Sequence, residues 1–233
     1  MTRVLLRDVH RVFAAGGGQL AALAGVTLTV PSGQFVSVVG PSGAGKSTLL
    51  HLVGGLDRPT SGEVEVGGVA LGGLGDEALA EYRRRRVGFV FQSANLMARL
   101  TAVENVTVPC LLDGVRPGAA TGRALAALDR VGVADLAGRR TAELSGGQAQ
   151  RVAVARALVT DPPLVLADEP TGNLDSHAGE QVLELLRSLP GPGRTVLMVT
   201  HNEAAAAAGD RVVTLADGRV TGDLRTRQPV PSR

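Results

Sequence analysis

The residues with the most chemical promise lie in the stretch GPSGAGKST, where Gly40, Gly45, Lys46 and Ser47 fall in the spacing G-x-x-x-x-G-K-[ST]. Gly40, Gly43 and Gly45 let the backbone turn its N–H groups inward around phosphate, with Pro41, Ser42, Ala44 and Thr48 completing the loop. A helical TLLHLVGGL follows, and its N-terminus adds partial positive charge at the same point. Lys46 is expected to reach the β- and γ-phosphates of ATP, and Ser47 to ligate Mg²⁺. Lys46 is also the only lysine in the chain, all other basic side chains being Arg. A compact ammonium thus stands where a phosphate needs a point charge rather than a planar fork.

Two further groups could act on the same nucleotide. PPLVLADEP ends an apolar run with adjacent carboxylates: Asp168 is read as the metal-side acid and Glu169 as the general base that takes a proton from the attacking water. LSGGQ, residues 144–148, opens the helical stretch AQRVAVARALV; Ser145 can cap it while Gly146 and Gly147 expose backbone N–H groups, with Gln148 closing the motif. By itself this is either an ordinary capped helix or a second anion site.

The elements that must carry these groups are short. VTLTV, QFVSVVG, VGFVFQ, LVLAD and TVLMVT read as buried strands alternating with helical patterns, an α/β class. QFVSVVG, LVLAD and TVLMVT are nearly continuous in apolar residues, as in a largely parallel sheet covered on both faces. EVEV-Gly67-Gly68-VAL and RVVTL-Asp217-Gly218-RVT read as small antiparallel elements near the edges. Residues 95–159 lack a strong strand run, and Thr101, Pro117 and Ser145 open helical stretches, so a helical subdomain is expected to interrupt a core of about 1–94 and 160–224. The tail 225–233, with two prolines and little to bury, is expected to be disordered.

Composition narrows the function classes. With 44% hydrophobic and 20% charged residues and no run near the roughly 20 apolar residues of a bilayer span, the sequence reads as a globular cytoplasmic domain. Asp8 and His10 sit where a signal peptide would carry its apolar core. A net charge of +2, four Phe, one Tyr and no Trp argue against nucleic-acid binding. The run Arg83 to Arg86 reads as a solvated helix C-terminus, and Cys110 as a small buried hydrophobe.

GPSGAGKST, LSGGQ and LADEPTGNLD, in that order and spacing, resemble the nucleotide-binding subunit of ATP-binding cassette (ABC) transporters over nearly the whole chain. The resemblance implies a P-loop NTPase core with small antiparallel β elements and an inserted helical subdomain, one domain over 1–224. It implies that Gln92 in VGFVFQ contacts the metal and water, that His201 in TVLMVTH assists catalysis, and that Phe13 in HRVF stacks on adenine. Two copies would sandwich two ATP molecules, LSGGQ of one closing on the phosphate loop of the other, with Asp175 of GNLD at the seam. GGLDRPTSGEV, RRRRVGFVFQSANL and LADEPTGNLDS look most like cassettes of lipoprotein-release and macrolide-export systems. Asn202, where Asp is commoner, and Ala149, where Gln is usual, depart from the pattern.

The resemblance therefore implies an ATPase, a homodimer when ATP is bound, that powers a separate transmembrane permease in export or extraction. It would sit on the inner face of the cell membrane and touch the bilayer only through the permease, which would dock near SANLMARLTAVENV. The alternative is a regulatory module in which the same ATP-driven dimer controls a membrane partner of cell-wall hydrolysis and transports nothing. A repair or translation ATPase of the same family would need a coiled-coil insertion or a second phosphate loop, and the sequence has neither.

Overall fold

A computed structural model describes residues 2–15 and 18–226. The strands are β1 (Val4–Ala15), β2 (Gly18–Val30), β3 (Phe35–Val39), β4 (Ser61–Val66), β5 (Val69–Ala70), β6 (Val87–Val90), β7 (Leu164–Asp168), β8 (Thr195–Thr200), β9 (Arg211–Ala216) and β10 (Arg219–Arg225). The helices are α1 (Lys46–Val53), α2 (Asp76–Arg86), α3 (Ala102–Leu112), α4 (Pro117–Arg130), α5 (Gly146–Leu158), α6 (Ser176–Arg187) and α7 (Glu203–Ala206).

Six strands form one sheet in the order β10-β9-β3-β8-β7-β6, parallel except for the β9–β10 hairpin. The apolar runs are explained by burial on both faces. Val165 and Ala167 point into a core shared with α3 to α6, whereas their neighbours Leu164 and Leu166 point into a second core shared with α1, α2 and the antiparallel sheet. Each fully buried Leu or Val contributes roughly 1.5–3 kcal/mol, so a polar substitution in any of these strands is strongly destabilising.

The second sheet, β2-β1-β4-β5, is antiparallel. VTLTV belongs here: Val26, Leu28 and Val30 are buried while Thr27 and Thr29 face out. β1 lacks a clean period-2 pattern because Asp8 adopts a left-handed conformation (φ 47°) and the register shifts between Leu6 and Val9. The 67–68 turn joins β4 to β5, and the 217–218 turn joins β9 to β10.

Between β6 and β7 the regular elements are helical. Thr101 and Ser145 each form a reciprocal capping box, with Glu104 and Gln148 respectively, and Pro117 occupies the first position of α4, where its missing N–H is harmless. The arginine run forms the last turn of α2, with Arg85 and Arg86 exposed to solvent. It also ties the helix to its neighbours: Arg83 donates to the Gly55 carbonyl at 2.6 Å, and Arg84 and Arg85 both bond Asp113 at 3.1 Å. Cys110 is buried. β10 extends through Arg225, and residues 227–233 of the expected tail lie outside the described residues.

Candidate ATP site

The phosphate loop leaves the C-terminal end of β3 and enters α1. Gly45, the N-cap of α1, sits at φ 98°, a conformation that side-chain-bearing residues avoid; a Cβ there would also lie 2.2 Å from the Ala22 carbonyl of β2. Among the described residues, the N–H groups of Gly43, Gly45, Lys46, Ser47 and Thr48 make no backbone hydrogen bond, and no side chain accepts from them. These donors lie at the N-terminal, positive end of α1, where an anion is favoured. Lys46 is almost fully buried, and its ammonium donates to the carbonyls of Gly40 (2.8 Å) and Pro41 (2.9 Å), holding charge inside the loop.

Strand register brings the rest of the site to this loop. β3, β8, β7 and β6 lie side by side, with Val39 opposite Thr200, Asp168 opposite Val199, and Val90 opposite Ala167. Gly40, His201, Glu169 and Gln92 therefore all emerge at the carboxyl edge of one parallel sheet, where α/β proteins place their ligands. Ser47 Oγ donates to Asp168 Oδ1 at 3.1 Å. Burial pushes the Asp168 carboxyl above its ordinary pKa, a cost the Ser47 hydrogen bond partly offsets. No three His, Cys, Asp or Glu side chains converge on a metal site among the described residues. A hydroxyl and one carboxylate suit Mg²⁺, which binds through one or two protein oxygens plus substrate phosphates, so Ser47 and Asp168 fit that ion.

Glu169 is held unusually firmly. Its φ is 47°, and the other four non-glycine residues with positive φ among those described are all Asp or Asn, which tolerate it. The strain, about 1–2 kcal/mol, is opposed by a bond from its N–H to the Val199 carbonyl (2.9 Å) and one from the Gly172 N–H to its own carbonyl (3.0 Å). Its side chain accepts from Thr200 Oγ1 at 2.9 Å and meets His201 Nδ1 at 2.8 Å. A carboxylate fixed at both oxygens beside a phosphate loop is poised to orient water and accept its proton.

The other expected residues are placed less directly. Gln92 donates to Asn173 Oδ1 at 3.2 Å and makes no hydrogen bond to Ser47 or Asp168. Phe13 lies partly exposed on β1 opposite Leu20, near the Ala22 segment that backs Gly45, with the Arg11 guanidinium 4.4 Å from its ring centroid. The guanidinium thus covers one face of the ring. Asp175 caps α6 through the Ala178 N–H (2.9 Å), which holds its carboxyl below the usual range. Among the described residues no hydrogen bond joins residues 144–148 to the phosphate loop. Ser145, Gly146 and Gly147 instead border a 420 Å³ cavity with Asp175 and His177. Thr200 and Asn173, which contact Glu169 and Gln92, escaped the sequence reading; only their adjacency to His201 and Gly172 could have marked them.

The family model described as "ABC transporter" matches residues 23–172. The chain is 48% identical over 217 residues to the lipoprotein-releasing system ATP-binding protein LolD of Geobacter metallireducens, covering 93% of this chain and 96% of the relative. It is 46% identical over 226 residues to a macrolide export ATP-binding/permease protein MacB of Paracoccus denitrificans, covering 97% of this chain but only 34% of that relative's length. Among solved structures, a dimeric ATP-binding cassette in a post-hydrolysis state, bound to ADP and Pi, superposes with a TM-score of 0.90 at 41% identity, covering 97% of this chain and 99% of that one.

Proposed function

We propose, for a chain that belongs to the ABC transporter family, that it is the ATP-hydrolysing cassette which powers a separate transmembrane permease in export or extraction of a substrate. The observation that carries this reading is one edge of a parallel sheet holding the phosphate loop, the Ser47–Asp168 pair and the doubly anchored Glu169. The geometry does not favour the regulatory alternative, which would use the same site.

In this reading the five loop N–H groups and Lys46 grip the β- and γ-phosphates. Ser47 and Asp168 would hold Mg²⁺, which would supply positive charge against the phosphate oxygens. Glu169 orients a water against the γ-phosphorus and accepts its proton as the new P–O bond forms; the bond to the β–γ bridging oxygen breaks and ADP leaves with that electron pair. His201 steadies the carboxylate, and Gln92, linked to Asn173, monitors the terminal phosphate from the β6 end. Phe13 stacks on adenine.

A second copy completes the site. Ser145, Gly146, Gly147 and Gln148, which among the described residues make no hydrogen bond to the phosphate loop of their own chain, close on the nucleotide of the partner, and Asp175 lies at that seam. Residues 1–224 then act as one nucleotide-binding domain whose helices over 95–159 carry the signature. The permease docks on the segment SANLMARLTAVENV after Gln92, where Met97 is exposed. No described helix is long and apolar enough to cross a membrane. In this reading the cassette sits at the inner face of the cell membrane and meets the bilayer through the permease. Nucleic acid plays no part.

The test is Glu169→Gln. ATP binding is expected to persist while turnover falls about 10²- to 10⁴-fold, the usual worth of a general base, and ATP is expected to shift the variant to a dimer on size exclusion. Unchanged turnover would remove Glu169 from this role.

A further inference from the structure

We infer that Thr200 is a positioning residue for ATP hydrolysis: its hydroxyl orients the Glu169 carboxylate toward the water. This rests on Glu169 being the base, and it adds a group that neither the phosphate loop nor the carboxylate pair includes.

The direction of the hydroxyl proton follows from its two partners. Thr200 Oγ1 lies 3.1 Å from the Asn202 N–H, which can only donate, and 2.9 Å from Glu169 Oε2, which as a carboxylate oxygen can only accept. The Asn202 N–H therefore occupies an acceptor lobe of the hydroxyl, and the hydroxyl proton points to Glu169. Thr200 is 1% exposed, so water does not compete for that proton. A hydrogen bond to a charged group in such a place is stronger than in solvent.

The hydroxyl is also fixed relative to the phosphate. Thr200 is the last residue of β8 and pairs with Val39, the residue before Gly40, while the adjoining Val199 pairs with Asp168. The strand that bonds Glu169 thus lies between the strand that launches the phosphate loop and the strand that carries the metal-side acid. His201 holds the other oxygen, Oε1, but its side chain is 60% exposed, so it can swing away. Thr200 cannot, and it keeps one carboxylate oxygen in place whatever His201 does.

The experiment measures steady-state ATP turnover and ATP affinity for Thr200→Val, Thr200→Ser, Glu169→Gln and the double variant Thr200→Val/Glu169→Gln. Valine keeps the shape and removes the hydroxyl; the Asn202 N–H it leaves is at an exposed residue and can bond water. Expected are a kcat about 10- to 100-fold lower for Thr200→Val with KM within about twofold, the span of one hydrogen bond to a charged group. Thr200→Ser should recover most of the rate, and Thr200→Val should add less than about twofold in the Glu169→Gln background, because there is no longer a base to orient. Normal turnover in Thr200→Val with slow turnover in Glu169→Gln would overturn the inference and leave Glu169 as the base. Equal losses in the Val and Ser variants, or an undiminished Thr200→Val effect without Glu169, would overturn it by making Thr200 merely structural. Normal turnover in Glu169→Gln would remove both readings together.

Discussion

At the residue scale the site is governed by how charge is held away from water. Lys46 is buried with two carbonyl partners, so it supports the loop as well as attracting phosphate. Lys46→Ala is expected to weaken ATP binding about 10- to 100-fold, the worth of a charge-assisted bond, as read by nucleotide titration. Lys46→Arg should not restore it, because a longer planar fork cannot reproduce a point charge between the Gly40 and Pro41 carbonyls. Wild-type affinity in Lys46→Ala would contradict the phosphate-loop reading. Glu169 carries the opposite design: a residue in a costly backbone conformation, kept there by four hydrogen-bonding contacts.

At the element scale, α5 combines two roles that mutation can separate. Ser145 Oγ accepts from the Gln148 N–H at 3.3 Å while Gln148 Oε1 accepts from the Ser145 N–H at 2.9 Å, and the same N-terminus is the proposed signature for a partner's nucleotide. Ser145→Ala should cost about 1 kcal/mol of stability by removing the cap, visible as a melting shift of roughly 2–4 °C. Ser145→Asp keeps a capping oxygen but puts a carboxylate where phosphate is to bind. Its melting temperature should stay near wild type while ATPase activity falls at least about tenfold. Full activity in Ser145→Asp would show that α5 does not meet phosphate.

At the scale of the whole molecule, no hydrogen bond joins the phosphate loop to residues 144–148 of the same chain among the described residues, and the proposed dimer, in which each signature serves the partner's loop, is testable by complementation. Mixing Lys46→Ala with Ser145→Asp, each impaired alone, yields heterodimers in which one composite site carries both lesions and the other carries neither. Recovered activity of up to about a quarter of wild type is expected; no recovery would place the complete site inside one chain. Coupling to a permease is best tested at Met97, which is 50% exposed, rather than at Leu96, which packs against the core. Met97→Asp should abolish transport while isolated ATPase activity survives, and equal loss of both would count against docking there.

The sequence by itself determined the α/β class, the phosphate loop, the carboxylate pair and the capped helices. Each of these is written in a few consecutive residues, where a glycine's freedom, a strand's apolar run or a hydroxyl at an N-cap acts locally. β1 is not legible in the sequence because the register shift at Asp8 disrupts the alternation, and the partners of Arg83 and Arg84 are not, because Gly55 and Asp113 are distant in sequence. It took the packed chain to show that Thr200 bonds Glu169, that Gln92 bonds Asn173, and that no hydrogen bond joins the signature to its own phosphate loop among the described residues. Those relations depend on which strands lie side by side and in what register, and strand order is set by burying two cores on opposite faces of one sheet, not by any local run of residues.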